Sequence, residues 1–111
     1  MVDKSVITAV KNYLNALKSN GFKVRFGVLF GSQASGNTHK WSDIDLMVVS
    51  EEFDNIKDRD DIDRMWWIAA ETDSRIEPLP CGEKQWVEDD VSTIIEVARR
   101  EGQLVTLSED T

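Results

Sequence analysis

Ten residues separate the dipeptide Gly31-Ser32 from the triplet Asp43-Ile44-Asp45, and an apolar alternating run stands on either side of that interval. Upstream, Val24, Phe26, Val28 and Phe30 alternate with Arg25, Gly27 and Leu29; downstream, Asp43, Asp45, Met47 and Val49 alternate with Ile44, Leu46 and Val48. A period of two describes strands, whose successive side chains point to opposite faces. Both faces of the first run carry apolar character, which places it inside a sheet. The interval is rich in Gly, Ser and Asn and reads as a turn and loop, with room for one helical turn after Ser32.

The remaining elements follow from periodicity. Ile7, Val10, Leu14 and Leu17 recur at helical spacing, so residues 4 to 19 are expected to form an amphipathic helix, closed by Gly21. The second strand spans Ser42 to Ser50, and an acidic connection then leads to a helix near Asp60 to Thr72. That helix has Ile62, Met65, Trp66 and Ala69 on one stripe. Ser74 to Leu79 reads as a short third strand, halted by Pro78 and Pro80 and hence an edge or a strand end. A final helix, about Asp89 to Glu101, presents Val91, Ile94, Ile95 and Ala98 and stops at Gly102. Gln103 to Leu107 can add a last short strand, and the polar tail Ser108 to Thr111 is expected to fray. Helices alternating with strands around one sheet define an α/β or α+β domain, and 111 residues suffice for one core, so residues 1–111 are read as a single domain.

Composition narrows the class of function. A net charge of -8 argues against a free-standing nucleic-acid binder, because neutralising phosphates requires a basic face. Seven of the carboxylates crowd between Glu51 and Asp63; they read as a solvated loop and helix start, with a docking face for a basic partner as the sharper alternative. The single cysteine, Cys81, rules out an internal disulfide and reads as packing in a reducing compartment. No apolar stretch approaches the roughly 20 residues that span a bilayer. The first residues lack the apolar core of a signal peptide, so no membrane association is expected and a cytoplasmic location is.

The chemistry concentrates on the interval already described. Asp43 and Asp45 lie two apart on a strand, hence on one face and about 6.5 Å apart at ~3.3 Å per residue. Two carboxylates so placed can share a pair of cations ~4 Å apart, as two-metal phosphoryl and nucleotidyl transfer requires. Without cations they repel each other, a cost consistent with a site that normally holds metal. Oxygen-only ligands indicate magnesium, or manganese, rather than zinc. Gly31 removes a side chain where a phosphate approaches the backbone, Ser32 offers a hydroxyl, and the following amides can donate to phosphate oxygens if they open a helix. Gly36 lets the loop turn back.

From Gly31 to Leu46 the sequence resembles the signature of the nucleotidyltransferase superfamily that includes DNA polymerase β. The stretch Ser42-Asp43-Ile44-Asp45-Leu46 and the small size look most like its stand-alone branch, the minimal nucleotidyltransferases (MNT). The resemblance is specific over roughly residues 22 to 50 and looser, by element order, elsewhere. It implies an α+β, polymerase β-like palm fold: a small mixed β-sheet packed by helices. It also implies a third carboxylate on a later strand, for which Glu77 is the candidate; many members carry Asp there. By resemblance, Asp43 and Asp45 bind both metals, Glu77 binds the catalytic one and acts as general base, and Gly31 and Ser32 hold the β and γ phosphates of ATP. A surface ion pair with Arg or Lys is the structural alternative for Glu77.

The same resemblance implies a function: transfer of a nucleoside monophosphate, AMP from ATP, to an acceptor hydroxyl with release of pyrophosphate. Family members of this size are commonly paired with a small helical HEPN protein, the nucleotidyltransferase serving as antitoxin of a HEPN ribonuclease toxin by adding AMP to it. Two other readings stand beside this one: a non-catalytic module that inhibits its partner by occlusion, and a dimeric, aminoglycoside-like transferase acting on small molecules. His39 can touch phosphate, but a solvated loop position explains it better; Gln33 and Lys40 can likewise meet phosphate, and neither is taken as a site residue. Trp41 can stack on a base or pack over the strand end. Trp66, Trp67 and Trp86 exceed what so small a core holds; the adjacent pair points about 100° apart on a helix, so one of them is expected near the surface.

Overall fold

Val6, Val10, Tyr13, Leu14 and Leu17 share one buried side of the first helix, α1 (Lys4–Ser19), in the computed structural model, which describes residues 4–30, 43–55, 59–88 and 93–107. The helix ends in a Schellman arrangement. Gly21, at φ 94°, donates its N–H to the Lys18 carbonyl (3.1 Å), and Phe22 donates to the Leu17 carbonyl (3.0 Å). The turn delivers the chain into β1 (Val24–Phe30), and β2 (Ile44–Ser50) pairs antiparallel with it. A 3-10 turn (Glu51–Asn55) and α2 (Arg59–Thr72) carry the chain to β3 (Ile76–Cys81), which lies parallel to β2. The short helix α3 (Glu83–Glu88), α4 (Thr93–Glu101) and β4 (Gln103–Val105) follow, and β4 returns antiparallel to β1. The result is a mixed four-stranded sheet in the order β3-β2-β1-β4, packed by helices: the expected α+β class.

Two apolar clusters sandwich the sheet. Against one face, α1 and α2 gather Val10, Tyr13, Leu14, Leu17, Leu29, Ile44, Leu46, Val48, Met65 and Ile76. On the other, a smaller cluster joins Val28, Met47, Val49 and Cys81 to Ile95 and Ala98 of α4, with Phe26, Phe30 and Trp86 partly covered. Cys81 is buried there, as packing requires. Gly27 sits where α1 crosses the sheet; a Cβ at this position would meet Leu46 Cδ1 at 3.0 Å and Leu14 Cδ1 at 3.2 Å. Among the described residues no helix is long and apolar enough to cross a membrane.

Four details depart from the periodic reading. The register shifts between Val24 and Phe26, so Arg25 is an extra residue against β2 and Val24 turns to the α1 face, away from Phe26, Val28 and Phe30. β3 continues through both prolines to Cys81. The Arg75 carbonyl accepts the Ile44 N–H (2.8 Å), so alternate positions 77, 79 and 81 turn their backbone groups to β2 and the prolines point outward, where no donor is needed. On α2 the buried stripe is Met65, Ile68 and Ala69, and Trp66 is exposed. Ile68 lies 60° to one side of Met65, toward the sheet, and Trp66 lies 100° to the other. Ile94 is likewise exposed, while Ile95 and Ala98 seat α4; Val91 lies outside the described residues.

Candidate active site

Parallel pairing of β2 and β3 does what the spacing of Asp43 and Asp45 cannot do alone: it brings a distant carboxylate alongside them. Asp45 is directly opposite Glu77 in the register, and on its other side it faces Phe30, the last residue of β1. Partners in register project to the same face. Asp45 and Glu77 thus stand on the face of Met47, Val49 and Cys81, beyond the end of the smaller apolar cluster. Asp43 precedes β2 and is exposed; Asp45 and Glu77 are half-buried.

The electrostatics report the crowding. Glu77 holds its proton more tightly than an ordinary glutamate, first because its carboxyl, when protonated, donates to Asp43, then through burial and the charges of Asp43 and Asp45. Asp45 is also shifted upward, by burial and then by the Asp43 charge. Among the described residues no arginine or lysine forms a salt bridge with Glu77. Three carboxylates on adjoining strands, two of them with raised proton affinity, form a hard, all-oxygen donor set whose repulsion a divalent cation would relieve. That chemistry suits magnesium or manganese. Among the described residues no three Asp, Glu, His or Cys side chains are gathered at separations that could hold a metal ion.

A supporting pair was not legible as part of the site. Asp73 caps the turn between α2 and β3. Its carboxylate accepts the Arg75 N–H (3.0 Å) and both Nε (3.0 Å) and Nη2 (2.7 Å) of the same arginine, and these bonds hold Asp73 below the usual carboxylate range. The clamp fixes the Arg75 carbonyl that receives Ile44, and so the start of the β2–β3 pairing on which Asp45 and Glu77 depend. The signal available was the Asp73-Ser74 pair directly after a helix, a turn-forming combination. Gly31, Ser32, Gln33, Gly36, His39, Lys40 and Trp41 lie outside the described residues.

The sequence matches the nucleotidyltransferase domain family over residues 10–103, a span that includes Asp43, Asp45 and Glu77, and the chain belongs to that family. None of the curated proteins matches it in sequence. Solved structures do. A chain from the crystal structure of a toxin–antitoxin complex with AMP-PNP superposes at TM-score 0.60 and 22% identity, covering 89% of this chain and 74% of that one. A Sulfolobus solfataricus protein assigned as a nucleotidyltransferase gives TM-score 0.61 at 18% identity, covering 90% and 78%. A chain from the complex of a tri-AMPylated Shewanella oneidensis HEPN toxin with its MNT antitoxin gives 0.56 at 17%, covering 91% and 71%. At these identities the likeness establishes the fold, the one expected for a minimal nucleotidyltransferase.

Proposed function

We propose that this nucleotidyltransferase is metal-dependent and moves AMP from ATP to a hydroxyl on a partner protein in the cytoplasm, as the antitoxin of a HEPN-type toxin. The observation that carries the reading is the placement of Asp43, Asp45 and Glu77 at one end of β2 and β3, where Glu77 holds its proton more tightly beside Asp43 and Asp45 does so through burial and the Asp43 charge. Two structural relatives add support, one crystallised with AMP-PNP and one with an AMPylated HEPN toxin.

In the proposed mechanism Gly31 and Ser32 hold the β and γ phosphates, leaving the α phosphate at the carboxylates. Asp43 and Asp45 would hold two magnesium ions, and Glu77 one of them. Magnesium, when bound, supplies positive charge against the triphosphate and against the charge that develops during transfer. The acceptor oxygen attacks the α phosphorus in line, the bond to the β-phosphate oxygen breaks, and pyrophosphate leaves. Glu77, the more basic for its neighbours, takes the hydroxyl proton.

The test is incubation of the pure protein with α-labelled ATP, magnesium and host lysate, beside Asp45→Asn. A labelled protein band that vanishes in the variant is the expected result. Label on small molecules alone would point instead to a dimeric small-molecule transferase. No label, with a partner still co-purifying, would leave a non-catalytic binding module.

A further inference from the structure

The outer side of α2 carries the most exposed aromatic surface among the described residues. Trp67 is 70% exposed and Trp66 46%, although indole is the side chain that gains most from being covered. Helical geometry places Trp67 at the middle of the solvent face. Asp63 and Glu71 lie four residues to either side of it, and exposed Ala70 lies between the rows of the two tryptophans. Neither Asp63 nor Glu71 forms a salt bridge among the described residues. Arg64 is turned to the other flank: it pairs with Asp61 (3.5 Å), donates to the Asn20 carbonyl (2.6 Å) and lies 4.9 Å over the Phe22 ring. The face is thus aromatic at its centre and acidic at its ends, and among the described residues no salt bridge supplies Asp63 or Glu71 with a cation.

From this we infer that the outer face of α2 is the docking surface for a basic protein partner, with Trp67 the central anchor. A second copy of the chain is a poor occupant, because an isologous contact would set Asp63 and Glu71 against themselves in a protein of net charge -8. A partner presenting arginine or lysine beside an apolar patch meets both features, the cation lying over the indole or against the carboxylates. The inference rests on the reading that the acceptor is a protein.

The probe is the basic fraction of host proteins eluted from a cation exchanger, passed over four immobilised proteins. These are wild type, Asp45→Asn, the double variant Trp66→Ala/Trp67→Ala, and Asp63→Lys/Glu71→Lys, each first shown to melt cooperatively. Wild type and Asp45→Asn are expected to retain the same protein. Retention by the tryptophan variant should fall at least ~30-fold, as for an interface hot spot, and by the charge-reversed variant ~10-fold or more at low salt. The purified captive, remixed with wild type, should shift the tryptophan emission to shorter wavelength. Equal retention by the tryptophan variant, failure of wild type to retain any basic protein, or a self-associated dimer that Trp67→Ala dissociates would each overturn the inference. Retention without transfer of label removes the proposed chemistry and leaves the docking face. Undiminished transfer by the tryptophan variant does the reverse.

Discussion

Against α1 and α2 the sheet buries Leu14, Leu17, Leu29, Ile44, Leu46 and Val48 with no exposed surface at all, and the buried hydroxyls are satisfied, that of Tyr13 by the Met65 carbonyl (2.9 Å) and that of Ser50 by the Lys23 carbonyl (2.7 Å). On the opposite face the cover is a six-residue helix without a buried residue and a nine-residue helix seated by Ile95 and Ala98, and the strands run out into three carboxylates that repel one another. One sheet therefore serves two purposes that compete for the same residues. The close-packed side supplies the stability that lets the other side hold like charges together.

The contrast is sharpest at Asp45. Asp45→Asn should lower kcat/KM for AMP transfer by at least ~10³-fold, the scale lost when a charge-stabilising group leaves an active site. It should also raise the melting temperature of the metal-free protein at neutral pH, because it removes a repelling charge. A calorimetric melt beside the labelling assay reads both, and a variant at once inactive and less stable would break the proposed division between faces.

Leu14→Ala reverses the pattern. A fully buried leucine cut to alanine costs about 3 kcal/mol, enough to lower the melting temperature by more than ~10 °C, while transfer by the folded protein at low temperature stays within about twofold. Tyr13→Phe removes the buried hydroxyl's bond to the Met65 carbonyl, which keeps its helical N–H donor, and should cost about 1 kcal/mol in urea titrations, again without loss of activity. Gly21→Ala is smaller still, about 1 kcal/mol. Its added Cβ meets nothing within 4 Å, so only the left-handed backbone at φ 94° opposes it.

The two regions should also respond to acid in opposite senses. Asp73 is shifted downward by Arg75, so its contribution is present above the unfolded carboxylate value and is lost as pH falls through the lower folded one. Asp45 and Glu77 are shifted upward, so ionising them weakens the fold as pH rises from the unfolded value through the raised folded ones. Metal-free protein should therefore gain stability on mild acidification just above the ordinary carboxylate range. Asp45→Asn should blunt that gain, and Asp73→Asn should remove the loss seen further down. Stability profiles of the three proteins from pH 3 to 7 test both signs.

These contrasts mark how far the sequence can be read unaided. α1 was legible because it buries one clean stripe, β1 and β2 because apolar residues alternate over both of their faces, and Asp43 and Asp45 because they stand at the head of one of those faces. Glu77 could be nominated only through family resemblance, since the pairing that sets it beside Asp45 joins strands separated by α2. The bulge at Arg25 leaves no local mark, and it moves Val24 to the other face. Helix α3 was not expected at all. It is too short to show a period, and its Lys84 N–H is received by Asp54, thirty positions earlier in the chain (3.1 Å). Trp66 looked like core because its spacing from Ile62 and Ala69 fits a stripe; the sheet selected Ile68 instead.

The prolines of β3 have a consequence of another kind. Pro78 and Pro80 occupy successive outward positions on an edge strand, so no incoming strand finds an N–H to pair with there. A bare β-edge beside the carboxylates would invite chain-to-chain templating. At Pro78 and Pro80 the missing N–H groups oppose it.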